Sequence, residues 1–302
     1  MTTTRRFVRA LLVVSAFPLS LIAQDTGDRV DSTFALDRGG SVHLGAVSGE
    51  IRITGADRRD VRVNATIDRG RFEITASRTR LSITTRSQQG RQTGARYDVV
   101  VPTGTRVSAT TVSGRIEVRA TEGEVTVRTT SGSVDVRQAK ERVEISTVSG
   151  DVELSRVSGQ LRIDGVSSTI YADELSGDLH AETVSGEITL RRSSLSGLVA
   201  SAVSGNISYD GSLSANGSYR LNTHSGSVTL GLPANVGALL ELETFSGRIN
   251  SDFPLTLQPG ETGGRRGRRM EFTLGNGGAR ITAGAFSGNI NIRRGTAATD
   301  RE

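Results

Sequence analysis

The sequence predicts an all-β solenoid, a β-helix-like stack of roughly 18–21-residue coils turned at Ser-Gly corners. Three observations predict it. Ser-Gly pairs recur on a nine-residue beat, the residues two and four places after each beat are apolar, and the residues between them are polar. Composition agrees: 36 Gly, no Trp and 4% aromatic residues suit short strands and tight turns better than a helical bundle.

The first 23 residues read as an export signal. Arg5, Arg6 and Arg9 precede the apolar run from Ala10 to Ile22, and Ala23 is a suitable residue for cleavage. The run is too short, and too soon followed by Gln24-Asp25, to span a membrane. The mature chain is therefore expected in the periplasm, at the cell surface or released. The formal charge of +5 includes the three signal arginines, so the mature chain carries +2 (5 − 3). Basic residues are spread along strands of alternating sign, without the basic stripe and interleaved aromatics of a nucleic-acid binder. With no Cys there is no disulfide framework, thiolate metal site or cysteine nucleophile.

Residues 24–294 form one expected β-repeat domain, irregular over 24–110 and regular from 111. "AVSGEIRITG" (46–55) is already one repeat, followed by the strand-like "DVRVNATI", "RFEITA", "RLSITT" and "RYDVVVP". From Gly114 through Gly132, Gly150, Gly159 and Gly177 to Gly186, every gap is nine or eighteen residues. Gly123, Glu141 and Ser168 hold the beats where the dipeptide is missing. The pairs that follow, from Ile116/Val118 to Ile188/Leu190, are apolar at all eighteen positions. Such period-two alternation marks strands with one buried and one wet face.

One nine-residue unit cannot stand alone. Two buried aliphatics contribute about 3–6 kcal/mol, whereas ordering nine backbones costs roughly 9–18 kcal/mol. Units must stack, two to a coil, with their aliphatics meeting between two sheets. The corner glycines at 114, 132, 150, 159, 177 and 186 are expected at positive φ, with the preceding serine bonding to local backbone. An antiparallel β-meander or sandwich is the alternative, but it needs a separate apolar cover that the regular stretch does not supply. The Gly-Gly-x-Gly-x-Asp corner of calcium-binding nonapeptide solenoids is missing as well. Beyond Gly205 the beat lengthens, a Pro/Gly/Arg loop is expected at about 254–270, "FSGNINIRR" makes a last rung, and 295–302 form a polar tail.

These repeats carry a resemblance. "VPTGTRVSATTVSGRIEV", "TVSGDVEL", "TVSGEITL", "THSGSVTLGLP" and "AFSGNINI" resemble the bacterial domain family of unknown function labelled "putative adhesin", over about residues 30–294. The resemblance implies a β-helix-like fold and a non-enzymatic role in the envelope or at the surface. It supplies no catalytic residues.

No catalytic, metal or cofactor site is expected. The corner serines do not follow the G-x-S-x-G elbow, and three histidines cannot serve a dozen near-identical serines. Asp178, His180 and Glu182 alternate outward on one strand and are the best chemical constellation, but they read as a solvated strand face like the charged outer positions throughout the chain. Arg265, Arg266, Arg268 and Arg269 form the densest charge cluster and the first contact point to consider. Their partners would be an envelope glycan, an anionic polymer or another surface protein. The expected function is thus an exported, non-enzymatic binding or scaffold surface. A polysaccharide-active β-helix enzyme and an envelope regulatory or stress-sensing module are the alternatives.

Overall fold

The computed structural model describes residues 22–26, 28–86, 94–254, 256–257 and 268–295, giving backbone alone for 22–26, 256–257, 268 and 269. Residues 1–21 of the expected signal, most of the expected 254–270 loop and residues 296–302 lie outside it. The described residues form 24 strands and no helix.

One coil shows how the sequence folds. Val125–Ser131 runs in a first sheet, the chain turns at Gly132, and Val134–Arg137 runs in a second sheet. The chain bends again at Gln138, tucks Ala139 inward, passes Glu141 and re-enters the first sheet as Arg142–Ser149. In the first sheet Val125, Val143, Leu161 and Leu179 are parallel partners, each 18 residues on from the last. In the second, Ile116, Val134, Val152, Ile170 and Ile188 do the same. The pairing is parallel throughout the regular stretch, which sets aside the antiparallel meander. All eighteen inward positions named by the beat are buried, and they meet between the sheets.

The glycines of the beat fall into two columns. Gly49, Gly114, Gly132, Gly150 and Gly186 turn the chain from the first sheet to the second, and Gly159 and Gly177 turn it back; all have positive φ. Glu141, in the second column, adopts the same left-handed conformation at φ 69°. Ser168 departs differently. Its side chain is buried and points where residue 165 would carry one: a Cβ on Gly165 would lie 1.9 Å from Ser168 Oγ. In this coil "GVSS" replaces "TVSG", and the two changes compensate each other in space.

Coils lengthen towards the C-terminus, from the 19-residue step Leu179–Leu198 to the 21-residue step Leu198–Tyr219. Buried tyrosines fill the swelling. Tyr209 and Tyr219 lie 5.8 Å apart between ring centres, and Tyr209 donates to the Ser212 carbonyl at 2.6 Å. Tyr219 donates to the Leu195 carbonyl and accepts from the Ser214 amide.

Chain order and stacking order part company at both ends. Ile51 pairs in parallel with Ile116 on one side and Tyr97 on the other, so strands Arg80–Arg86 and Gly94–Pro102 lie outside the earlier 41–56 coil. Likewise Ile281 sits between Tyr219 and Leu240. "FSGNINIRR" is therefore the last rung of the chain but not of the stack. The 238–251 coil lies beyond it, with antiparallel Arg268–Leu274 along its outer edge. Antiparallel strands Arg29–Ala35, Asp60–Ile67 and Arg71–Ala76 cover the opposite end. Solenoids need such caps, because an open terminal coil is a template for edge-to-edge pairing.

Candidate functional site

The T-x-S-G corner places its four residues in four environments. Its threonine is buried and bonds the turn: Thr147 Oγ1 donates to the Ser149 carbonyl at 3.2 Å, and Thr223 Oγ1 to the Gly205 carbonyl at 2.8 Å. At the Thr147 and Thr183 corners a local backbone bond is thus made by the threonine two places before the serine. The serines stack in register from Ser48 through Ser113, Ser131 and Ser149 to Ser287 and Ser246. The glycine lies under the next coil. The second residue of the motif points out.

That second residue makes a ridge. Of the nine large apolar side chains exposed among the described residues, eight occupy this position: Val47, Val112, Val148, Val166, Val184, Val203, Phe286 and Phe245. Thr130 and His224 complete the column in stacking order. At one end the rings of His224 and Phe286 are stacked at 4.7 Å, and those of Phe286 and Phe245 at 4.9 Å. Open grooves flank the ridge, one past Val148 and Val166 and one past Val184, Val203 and Phe286. Sequence reasoning missed this column. The signal was present as an apolar residue two places before alternate beats, but only the residues after the beat were tested.

On the outer face of the first sheet, Asp178, His180 and Glu182 alternate outward along one strand, and Asp178 stands apart from the other two. Asp178 Oδ1 accepts from Ser196 Oγ at 2.9 Å. Asp164, one coil away, takes its place, and its carboxylate, the His180 imidazole and the Glu182 carboxylate offer atoms within 4.8 Å of one another. That donor set suits a borderline divalent cation. Each group already has a partner on its own strand, Arg162 for Asp164 and Glu182 for His180, both at 2.9 Å.

The outer face of the second sheet corrects the expectation that every intervening position is wet. Glu117 and Asp135 are 5% and 4% exposed. Arg52 and Arg119 cover Glu117, while Arg137 grips Asp135 through two bonds of 2.8 and 2.7 Å. Hydrogen bonding to Glu117 raises the Arg52 pKa, and bonding to Asp135 raises that of Arg137. Parallel register puts Arg52, Glu117, Asp135 and Glu153 in one row, so arginine stems fold over the carboxylates beside them.

Of the arginine cluster, Arg265 and Arg266 lie outside the described residues. Arg268 and Arg269 belong to a strand rather than a loop, opposite Thr244 and Glu243. His43 bonds Ser108 across the first sheet at 3.1 Å, and burial, then Arg80, lowers its pKa.

The family model described as Toastrack DUF4097 matches residues 121–293, more than half of the chain. The chain belongs to the Toastrack DUF4097 family. The match is narrower than the 30–294 span of the motifs: it opens at the inward residue Thr121 and omits the N-terminal strands up to Arg106–Arg119. Within it lie most of the ridge and the Asp164/His180/Glu182 cluster of this Toastrack chain. No curated protein matches the chain. Among solved structures, one described as a "putative cell adhesion protein" from Clostridium sporogenes aligns over 88% of this chain and 99% of its own, at 10% identity and a TM-score of 0.28. Likeness at that level carries no argument.

Proposed function

We propose that this Toastrack chain is an exported, non-enzymatic protein that presents a binding or scaffold surface in the cell envelope. The observation that carries the reading is the stack itself. Corner and face residues repeat coil after coil in register, giving a rigid array about 4.8 Å in pitch. Such an array suits many weak contacts made together rather than one enclosed site. The Arg5/Arg6/Arg9 head and the apolar run to Ile22 support export. The resemblance to adhesin-like surface proteins supports the envelope role.

Two experiments test the reading. A reporter active only outside the cytoplasm, fused after Ala23, should become active; a silent reporter would remove export. The mature chain from Gln24 should bind glycan or anionic-lipid arrays with strength that grows with display density. Replacing Arg265, Arg266, Arg268 and Arg269 by Ser tests the basic cluster as the contact. Polysaccharide turnover that vanishes on a single carboxylate substitution would replace the non-enzymatic reading with an enzyme.

A further inference from the structure

Among the described residues the corner ridge is an apolar stripe of ten rows: Val47, Val112, Thr130, Val148, Val166, Val184, Val203, His224, Phe286 and Phe245. Its valines are 37–52% exposed, and Phe286 and Phe245 are 49% and 61% exposed. An isolated exposed valine is ordinary; eight large apolar residues in one line on a soluble face mark an interaction surface.

We propose that this ridge is a homotypic interface, on which a second copy of the chain docks antiparallel about a two-fold axis passing between Val166 and Val184.

The order of residues along the ridge is self-complementary when reversed. Rows one and two, Val47 and Val112, then oppose Phe245 and Phe286, so small meets large and the gap is the same at both ends. The two polar rows, Thr130 and His224, stand third and eighth and oppose each other. Val148 opposes Val203, and Val166 opposes Val184. A parallel dimer would set Phe against Phe at one end and hold the valine end apart.

Pitch and area agree. A second copy repeats at the same spacing, so each row meets one row of its partner along the length of the stripe. Nine steps at about 4.8 Å give a stripe about 43 Å long and, with the serine column on one side and the Arg128/Asp164/Glu182/Glu243 column on the other, about 15 Å wide. That is about 650 Å² per copy, or about 1,300 Å² in all, at the lower end of specific interfaces and appropriate to a micromolar dimer. The flanks argue against a bilayer as occupant. One flank is a column of serines; the other carries Arg128, Asp164, Glu182 and Glu243, more acidic than basic, and the chain has no Trp for a membrane interface. Near the axis, Asp164 is already paired with Arg162 and Glu182 with His180.

Sedimentation velocity on the mature chain, from 1 to several hundred micromolar, tests the interface. The expected result is a monomer–dimer equilibrium, abolished in Val148→Asp/Val184→Asp while the circular dichroism spectrum is retained. Because the chain has no Cys, single cysteines report its geometry. Val166→Cys should oxidise to a covalent dimer. Val112→Cys should not, except when mixed with Phe286→Cys. A monomer throughout the range, a dimer indifferent to the aspartates, or Val112→Cys linking to itself as readily as Val166→Cys would each overturn the proposal. So would binding of the ridge to phosphatidylcholine/phosphatidylglycerol vesicles in place of self-association.

Discussion

Gly132 lies against Gly114 with no room for a side chain between them: a Cβ on Gly132 would fall 1.8 Å from the Gly114 carbonyl oxygen. Gly150 stands in the same relation to Gly132, at 2.1 Å and φ 118°. The corner thus needs glycine for two reasons, a left-handed backbone and the close approach of the next coil. Gly150→Ala should cost more than the about 1–3 kcal/mol of backbone strain alone, because the coil beneath must also move. Ser149→Ala at the same corner should change stability by under about 0.5 kcal/mol, as a surface substitution does. Thermal unfolding of the two variants checks both. Equal losses would mean that the serine, too, holds the corner.

The buried threonines divide into bonded and unbonded. Thr147 Oγ1 reaches the Ser149 carbonyl, whereas Thr129 Oγ1 is buried without a partner. Thr147→Val should therefore destabilise by about 0.5–1.5 kcal/mol, and Thr129→Val should be neutral or stabilising. Chemical denaturation of the pair measures the difference.

Gly165 and Ser168 compensate each other, which makes them a test of packing. Gly165→Thr alone should destabilise, because its side chain meets Ser168 Oγ. Ser168→Gly alone leaves the space empty. Together they restore "TVSG", and the double variant should be more stable than the two single losses predict, with a coupling of about 1–3 kcal/mol. Additive losses in the cycle would contradict the exchange of space.

Burial holds the phenols of Tyr97, Tyr209 and Tyr219 above the ordinary 10.0. A phenol raised in this way keeps its proton more firmly folded than unfolded. The stability it lends is intact below about pH 10 and falls as pH rises past that value. Absorbance at 295 nm should show these three ionising together with unfolding. Tyr97→Phe should move the alkaline transition upward, even though it forfeits the 2.8 Å bond to the Gly45 carbonyl.

The regular coils were legible because two strong constraints repeat: inward aliphatics at fixed places, and glycine where the next coil touches. Val134/Val136 and Gly132 announce both in five residues. At the second bend Gly159 and Gly177 announce the turn, but the left-handed residues three places earlier left no such trace. Ala120, Gln138, Arg156, Glu174 and Arg192 all take left-handed φ between 47° and 55°, 18 residues apart, in residue types that signal nothing. Their conformation is imposed by the inward neighbours Thr121, Ala139, Val157, Leu175 and Ser193, which must reach the core. The inverted coils at each end were hidden because strand Ser41–Ala56 and strands Ala279–Ser287 and Ile290–Arg294 read alike whichever neighbour they pair with. At the candidate sites, Asp164 reached His180 and Glu182 across coils, a proximity that follows only from an 18-residue register.

The coil length is the claim on which the rest depends, and the absence of native Cys makes it directly measurable. Glu144 and Arg162 are parallel neighbours in the first sheet, whereas Glu153 lies on the outer face of the second. Oxidation of Glu144→Cys/Arg162→Cys at low protein concentration should close an intramolecular disulfide, since Cα partners in adjacent strands lie within about 4.4–6.8 Å. Glu144→Cys/Glu153→Cys should remain reduced. A disulfide between 144 and 153, with 144 and 162 left free, would mean a nine-residue meander and contradict the two-sheet coil.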